Sequence, residues 1–140
     1  MKNNATPAEL DHIGIAVHSL QESLRFYVDL IGLQVKTSET VESERVNVAM
    51  LPAGTELGAP RIELLEPADG DSVIARFLEK HGPGLHHIAL RVENLREITG
   101  RLESAGARLL NEPRRGAGGH TYVFVHPSSA GGVLLELIQK

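Results

Sequence analysis

The feature that most restricts the fold of this chain is that it repeats itself. Residues 11–17 read DHIGIAV and residues 86–92 read HHIALRV, an offset of 75, while IEL at 62–64 recurs as LEL at 135–137, an offset of 73. Two copies of a period near 75 describe a duplicated module rather than a solenoid. Each half then carries one histidine and one glutamate at matching places.

The local pattern within each copy names its elements. Leu10 to Val17 is a short apolar run interrupted by His12, and Ser19 with Glu22 three residues on has the form of a capping box that opens a helix. Leu20, Leu24, Tyr27 and Ile31 recur on one helical face, and Gly32 stands where a left-handed C-cap belongs. Three strand-like stretches follow, Leu33–Val41, Val46–Leu51 and Arg61–Leu65, the last two separated by the turn-rich PAGTELGAP. The order is βαβββ. Residues 72–80 then form a linker helix with Val73, Ile74, Phe77 and Leu78 on one stripe, ended by the GPG at 82–84. The second copy begins with Leu85–Val92, caps its helix with Asn94 and Glu97, and carries Leu95, Ile98, Leu102 and Ala105 as its apolar stripe. Strands are expected near Arg108–Leu110, Thr121–Val125 and Val133–Gln139. The fold class is therefore α+β, one domain over 9–140 with modules at about 9–66 and 84–140.

Composition removes several classes of function. At 140 residues with 41% hydrophobic and 23% charged side chains, the chain can bury a core and lies far from the disordered range. Its 14 basic and 18 acidic residues give a charge of -4 with no basic cluster, and aromatic content is 4%, so nucleic acid is not an expected partner. The absence of cysteine removes disulfide scaffolds, thiolate metal sites and cysteine nucleophiles together. No window approaches the roughly 18 apolar residues of a spanning helix, and Met1–Leu10 has no apolar h-region, so a cytoplasmic protein without a membrane partner is expected.

Chemistry concentrates where polar residues interrupt the repeated strands. Strand parity sets His12 with Gly14 and Ala16 against Ile13, Ile15 and Val17, and sets His87 with Ala89 against Ile88, Leu90 and Val92. Glu63 and Glu136 each stand between apolar neighbours. An uncompensated buried carboxylate costs several kcal/mol, so such a strand needs a cation or donors nearby. Taken singly, a histidine in a strand is a hydrogen-bonded core or surface group and a glutamate is the wet face of a half-buried strand. Their joint recurrence in both halves points instead to metal ligation by His12, Glu63, His87 and Glu136. Two imidazoles and two carboxylates suit one divalent ion per chain, Co, Ni, Mn or Zn, in an open and hence catalytic site. The other histidines read as solvated or capping groups: His86, His18, His81 and His126, with His120 closing the flexible GAGG stretch. That stretch is no dinucleotide fingerprint, because no strand leads into it and no helix follows.

The paired modules, with DHIGIAV, HHIALRV and the terminal LLELIQ, resemble the vicinal oxygen chelate superfamily. Within it RIELLEP, DSVIARFLEKHGPGLHHIALRV, GAGG and HPSSAGGVLLEL resemble the methylmalonyl-CoA epimerase family, and the likeness covers nearly all of Leu10–Lys140. The resemblance implies two βαβββ modules whose curved mixed sheets enclose a metal-containing cleft, with ligands at the same His12, Glu63, His87 and Glu136. It implies an acyl-CoA substrate and a homodimer. Its chemistry is a 1,1-proton transfer that interconverts 2R and 2S forms through a metal-stabilised enolate, with a carboxylate on either side of the carbon. One of these matches Glu136. A gap-free alignment sets the other at Ser43, which cannot act as a carboxylate base, and Glu44, beside Arg45 and the strand, is the neighbour best placed to replace it. The ESER segment reads equally as a solvated edge. Two alternatives stand beside this reading: a glyoxalase I-like lyase or isomerase, and a non-enzymatic small-molecule binder of the bleomycin-resistance kind. A ring-cleaving dioxygenase would use two histidines and one carboxylate and leave Glu63 unexplained.

Overall fold

The computed structural model describes residues 7–116 and 119–140, so Ala117 and Gly118 of the GAGG stretch lie outside the described residues. It divides into two compact units, His12–His86, and residues 87–140 with those that precede His12.

In the His12–His86 unit the elements are β1 (Glu9–Ala16), α1 (Leu20–Leu24), β2 (Thr37–Val41), β3 (Val46–Pro52), β4 (Arg61–Pro67) and α2 (Val73–His81). The strand order is β2-β3-β4-β1, with β1 parallel to β4 and the other neighbours antiparallel. Alternation divides the side chains between two faces. One face packs Val17, Ala49, Leu51 and Leu64 against Leu20, Leu24, Tyr27 and Val28 of α1 and the turn after it. The other carries Ala16, Val46, Val48 and Leu65 and meets Ile74, Leu78 and Phe77 of α2. His12 and Glu63 share the parity of Ala16 and Leu65, and so belong to this second face.

The other unit repeats the plan with β5 (Gly84–Arg91), α3 (Leu95–Ser104), β6 (Arg114–Arg115), β7 (Thr121–Val125) and β8 (Leu135–Gln139). Its order is β5-β8-β7-β6, again with one parallel pair, β5 beside β8. Val92, Val123, Val125 and Leu137 pack against Leu95, Ile98 and Leu102 of α3, which leaves His87 and Glu136 on the opposite face. Glu9 and Asp11 belong to this unit as well. Asp11 is 1% exposed and meets Arg91 Nη1 at 3.0 Å and Lys140 Nζ at 2.9 Å, which compensates a carboxylate that would be costly to bury alone.

The expected caps are present: Ser19 Oγ accepts the Glu22 amide at 3.1 Å and Asn94 Oδ1 accepts the Glu97 amide at 3.1 Å; Ser72, not read as a cap in the sequence, also accepts the Ala75 amide at 2.9 Å. Gly82 ends α2 with φ 75°. A second tie went unread in the sequence and is itself duplicated. Glu66 Oε2 accepts the first amide of α1, Leu20 N, at 2.8 Å, and Gln139 Oε1 accepts that of α3, Leu95 N, at 2.7 Å. Each strand thus fastens the helix that packs on it by satisfying an amide that the helix cannot. Gln139→Leu is expected to cost about 1–3 kcal/mol by leaving that half-buried donor unpaired; a lowered urea midpoint with an unchanged m-value would register it, and an unchanged midpoint would mean that water replaces the glutamine.

Three expected elements differ. The stripe from Leu20 to Ile31 does not continue as one α-helix, because Arg25–Leu30 widens into a π turn in which Ile31 N reaches back to Phe26 O at 3.0 Å. The wider turn breaks the 3.6-residue phase, and Ile31 comes out 59% exposed. The strand expected over Leu33–Val41 is regular only from Thr37, while Leu33 packs into the core. The strand expected at Arg108–Leu110 is reduced to one bridge, Leu109 with Val125, and the Asn111 side chain takes the place of a backbone partner by accepting the Phe124 amide at 2.8 Å. Among the described residues, no helix is long and apolar enough to cross a membrane.

Candidate metal and catalytic site

The two His–Glu pairs arise from the same local geometry in each unit. In the first, the parallel register of β1 on β4 sets Gly14 opposite Glu63, two residues past His12. In the second, β5 on β8 sets Ala89 opposite Glu136, two residues past His87. A small residue therefore lies beside each glutamate, and nothing larger than a methyl group separates the histidine from the carboxylate along the strand. His12 Nε2 stands 3.6 Å from Glu63 Oε1, and His87 Nε2 stands 3.5 Å from Glu136 Oε1. His12, His87 and Glu136 are buried and Glu63 nearly so.

These separations are informative. Both exceed the 2.7–3.2 Å expected of a direct N–H···O hydrogen bond. An imidazole nitrogen beside a carboxylate oxygen is a mixed N/O donor set of the kind that suits a divalent ion. The donor chemistry of each pair therefore fits a divalent ion.

The walls differ between the two units. Glu63 is opposite Met50 on β3, whereas Glu136 is opposite Phe124 on β7. The Phe124 ring meets His87 edge to face, with centroids 6.1 Å apart, and does the same with Tyr122 at 5.7 Å.

Glu44 lies beside Arg45, just ahead of β3. Residues 42–45 form the turn that closes the β2–β3 hairpin, beyond Val41 opposite Val46. Glu44 N donates to Val41 O at 3.2 Å, and Arg45, with φ 56°, ties the turn to Asp71 through Nη1 at 3.1 Å. Ser43 and Glu42 share this turn. Of the remaining histidines, His126 is a cap as expected, its Nδ1 accepting the Ser128 amide at 2.9 Å. His81 is exposed at the end of α2 as expected, and it and the half-buried His86 also pack on Phe77, with ring centroids 4.8 and 4.9 Å away. Sequence reasoning missed this cluster because it joins residues from α2 and β5.

Duplicated mixed units that each present a His–Glu pair define a class of protein, and comparison with known proteins agrees. Residues 11–124 match the model of the Glyoxalase/Bleomycin resistance protein/Dioxygenase superfamily, and the chain belongs to that superfamily. Its relatives include proteins named methylmalonyl-CoA epimerase. Human mitochondrial methylmalonyl-CoA epimerase is 37% identical over 132 residues, covering 93% of this chain and 73% of that protein. The uncharacterized protein YqjC of Bacillus subtilis is 43% identical over 131 residues, 93% of this chain and 91% of that one. A solved methylmalonyl-CoA epimerase in complex with methylmalonyl-CoA and NH4+ superposes with a TM-score of 0.86 at 37% identity, covering 96% of each chain. The tandem α+β fold expected from the repeat is thus the fold of these enzymes.

Proposed function

We propose that this chain is an isomerase that epimerises methylmalonyl-CoA by 1,1-proton transfer at the carbon between carboxylate and thioester. The observation that carries the reading is the duplicated His–Glu pair, held by one register in both units, in a chain 37% identical to a protein solved with that substrate.

His12, Glu63 and His87 are donors of a kind that can hold a metal ion, and with Glu136 they would hold one divalent ion, Co, Ni, Mn or Zn. When bound, such an ion supplies Lewis acidity at substrate oxygens and so lowers the cost of negative charge developing there. The chain's own residues do the rest. His12 and His87 stand beside the carboxylates as donors for the ion, and Glu136 is buried among them. Glu136 accepts the α-proton at a carboxylate oxygen and can return it, a role worth roughly 10²–10⁴ in rate. A second acid or base is required on the other side of the carbon for inversion. Assembly as a homodimer is part of the same reading and is checked by light scattering.

The test is to incubate purified protein with one epimer of methylmalonyl-CoA and follow formation of the other. Activity should disappear on chelation and return with at least one of the four ions. An inactive metal-loaded protein would overturn the reading, and turnover of a glutathione hemithioacetal in its place would move the chain to the lyase branch.

A further inference from the structure

The strands of the His12–His86 unit carry one carboxylate besides Glu63 on the face that bears His12 and Glu63, and it is Glu39. Glu39 on β2 is opposite Val48, and Val48 is opposite Leu65, two residues past Glu63. Directly opposed residues share a face, so the Glu39 side chain leaves the sheet on the side of the metal donors. Glu66, the other strand carboxylate of this unit, points to the α1 face and is engaged there by Leu20 N and by Asn47 Nδ2 at 2.8 Å.

Position supports a chemical role. Two strand spacings across and two residues along put the Glu39 and Glu63 backbones about 12 Å apart. Both carboxylates therefore stand over one face of the sheet, Glu39 on the β2 side of Glu63 and His12 on the β1 side. The turn that contains Glu44 is farther away: Val46 is opposite Pro67, four residues past Glu63, so Glu44 stands beyond about 14 Å along the strand. The duplicate adds an independent argument. Arg114 on β6 is opposite Tyr122, which is opposite Ile138, two residues past Glu136. This is the position that Glu39 holds in the first unit, and a cation fills it. The repeat does not demand an acid there.

We propose that Glu39 is the second proton-transfer group of the reaction, a proposal that rests on the epimerase reading. When Glu136 removes the α-proton, the C–H electron pair becomes the enolate double bond and charge moves to the thioester oxygen. Glu39, entering protonated, gives its proton to the opposite face of the same carbon; a new C–H bond forms and Glu39 is left as carboxylate. Release of one proton from Glu136 to solvent and uptake of one by Glu39 restore the starting state. The reverse epimerisation exchanges the two roles.

The experiment compares wild type, Glu39→Gln and Glu44→Gln in deuterated water, starting from each epimer separately, with bound metal measured on every sample. Glu39→Gln should lose epimerisation by about 10²–10⁴-fold while keeping its metal, and should still exchange the α-proton of the one epimer whose proton Glu136 takes. Loss of exchange from both epimers together, or loss of metal, would make Glu39 structural and overturn the proposal. So would wild-type epimerisation by Glu39→Gln, and a loss confined to Glu44→Gln would return the role to the turn. A wild-type protein that does not epimerise methylmalonyl-CoA removes the epimerase reading and this role together, whereas an active wild type with an unaffected Glu39→Gln removes only the role.

Discussion

His87→Ala is expected to yield a folded protein without stoichiometric metal and with epimerisation reduced by at least about 10³-fold. A Lewis acid at a substrate oxygen contributes several kcal/mol to the transition state, and each 1.36 kcal/mol is a factor of ten. The fold should survive because His87 lies on the face away from the apolar cluster of Val92, Leu95, Val123, Val125 and Leu137 that holds α3 to its sheet. His12→Ala should behave alike, since Ala16, Leu65 and Ile74 pack independently of it. Elemental analysis beside far-UV circular dichroism tests both statements. Full metal occupancy in His87→Ala would remove His87 from the ligand set.

Glu136→Gln should separate metal binding from catalysis. An amide oxygen can still donate a lone pair to the ion, but the group no longer takes a proton. Its size is unchanged, so the pairing with Ala89 and Phe124 that positions it should persist. Metal content should stay within a few-fold of wild type, and the epimerisation rate should fall by roughly 10²–10⁴. Parallel loss of both would make Glu136 a ligand alone and place the base elsewhere.

The strand and cap patterns around the candidate site were legible beforehand because their ingredients are short in range. A capping residue and the amide it satisfies are three positions apart, as with Ser19 and Glu22 or Asn94 and Glu97. A strand's parity needs only alternate residues, which is how His12 and His87 could be set on a face with small neighbours. What escaped lay in features that require a partner from another element: the π turn at Arg25–Leu30, the Asn111 side chain standing in for a strand, and the Glu66 and Gln139 ties to the helices. Glu39 escaped for the same reason. Within TSETV it reads as one polar residue of an exposed edge, and only its opposition to Val48 reveals which way it points.

From the sequence alone came the duplication, the α+β class and the four polar residues that interrupt apolar strands, because repetition and alternation are written in neighbouring residues. The tertiary structure decided which strands lie side by side. Placing β1 against β4 and β5 against β8, rather than against the strands next in the chain, brings each histidine to its glutamate. That choice is made by the whole unit at once. Each sheet must bury one face under its helix and pair its backbone groups, and the register that does both depends on contacts far apart in the chain, where no local pattern reaches.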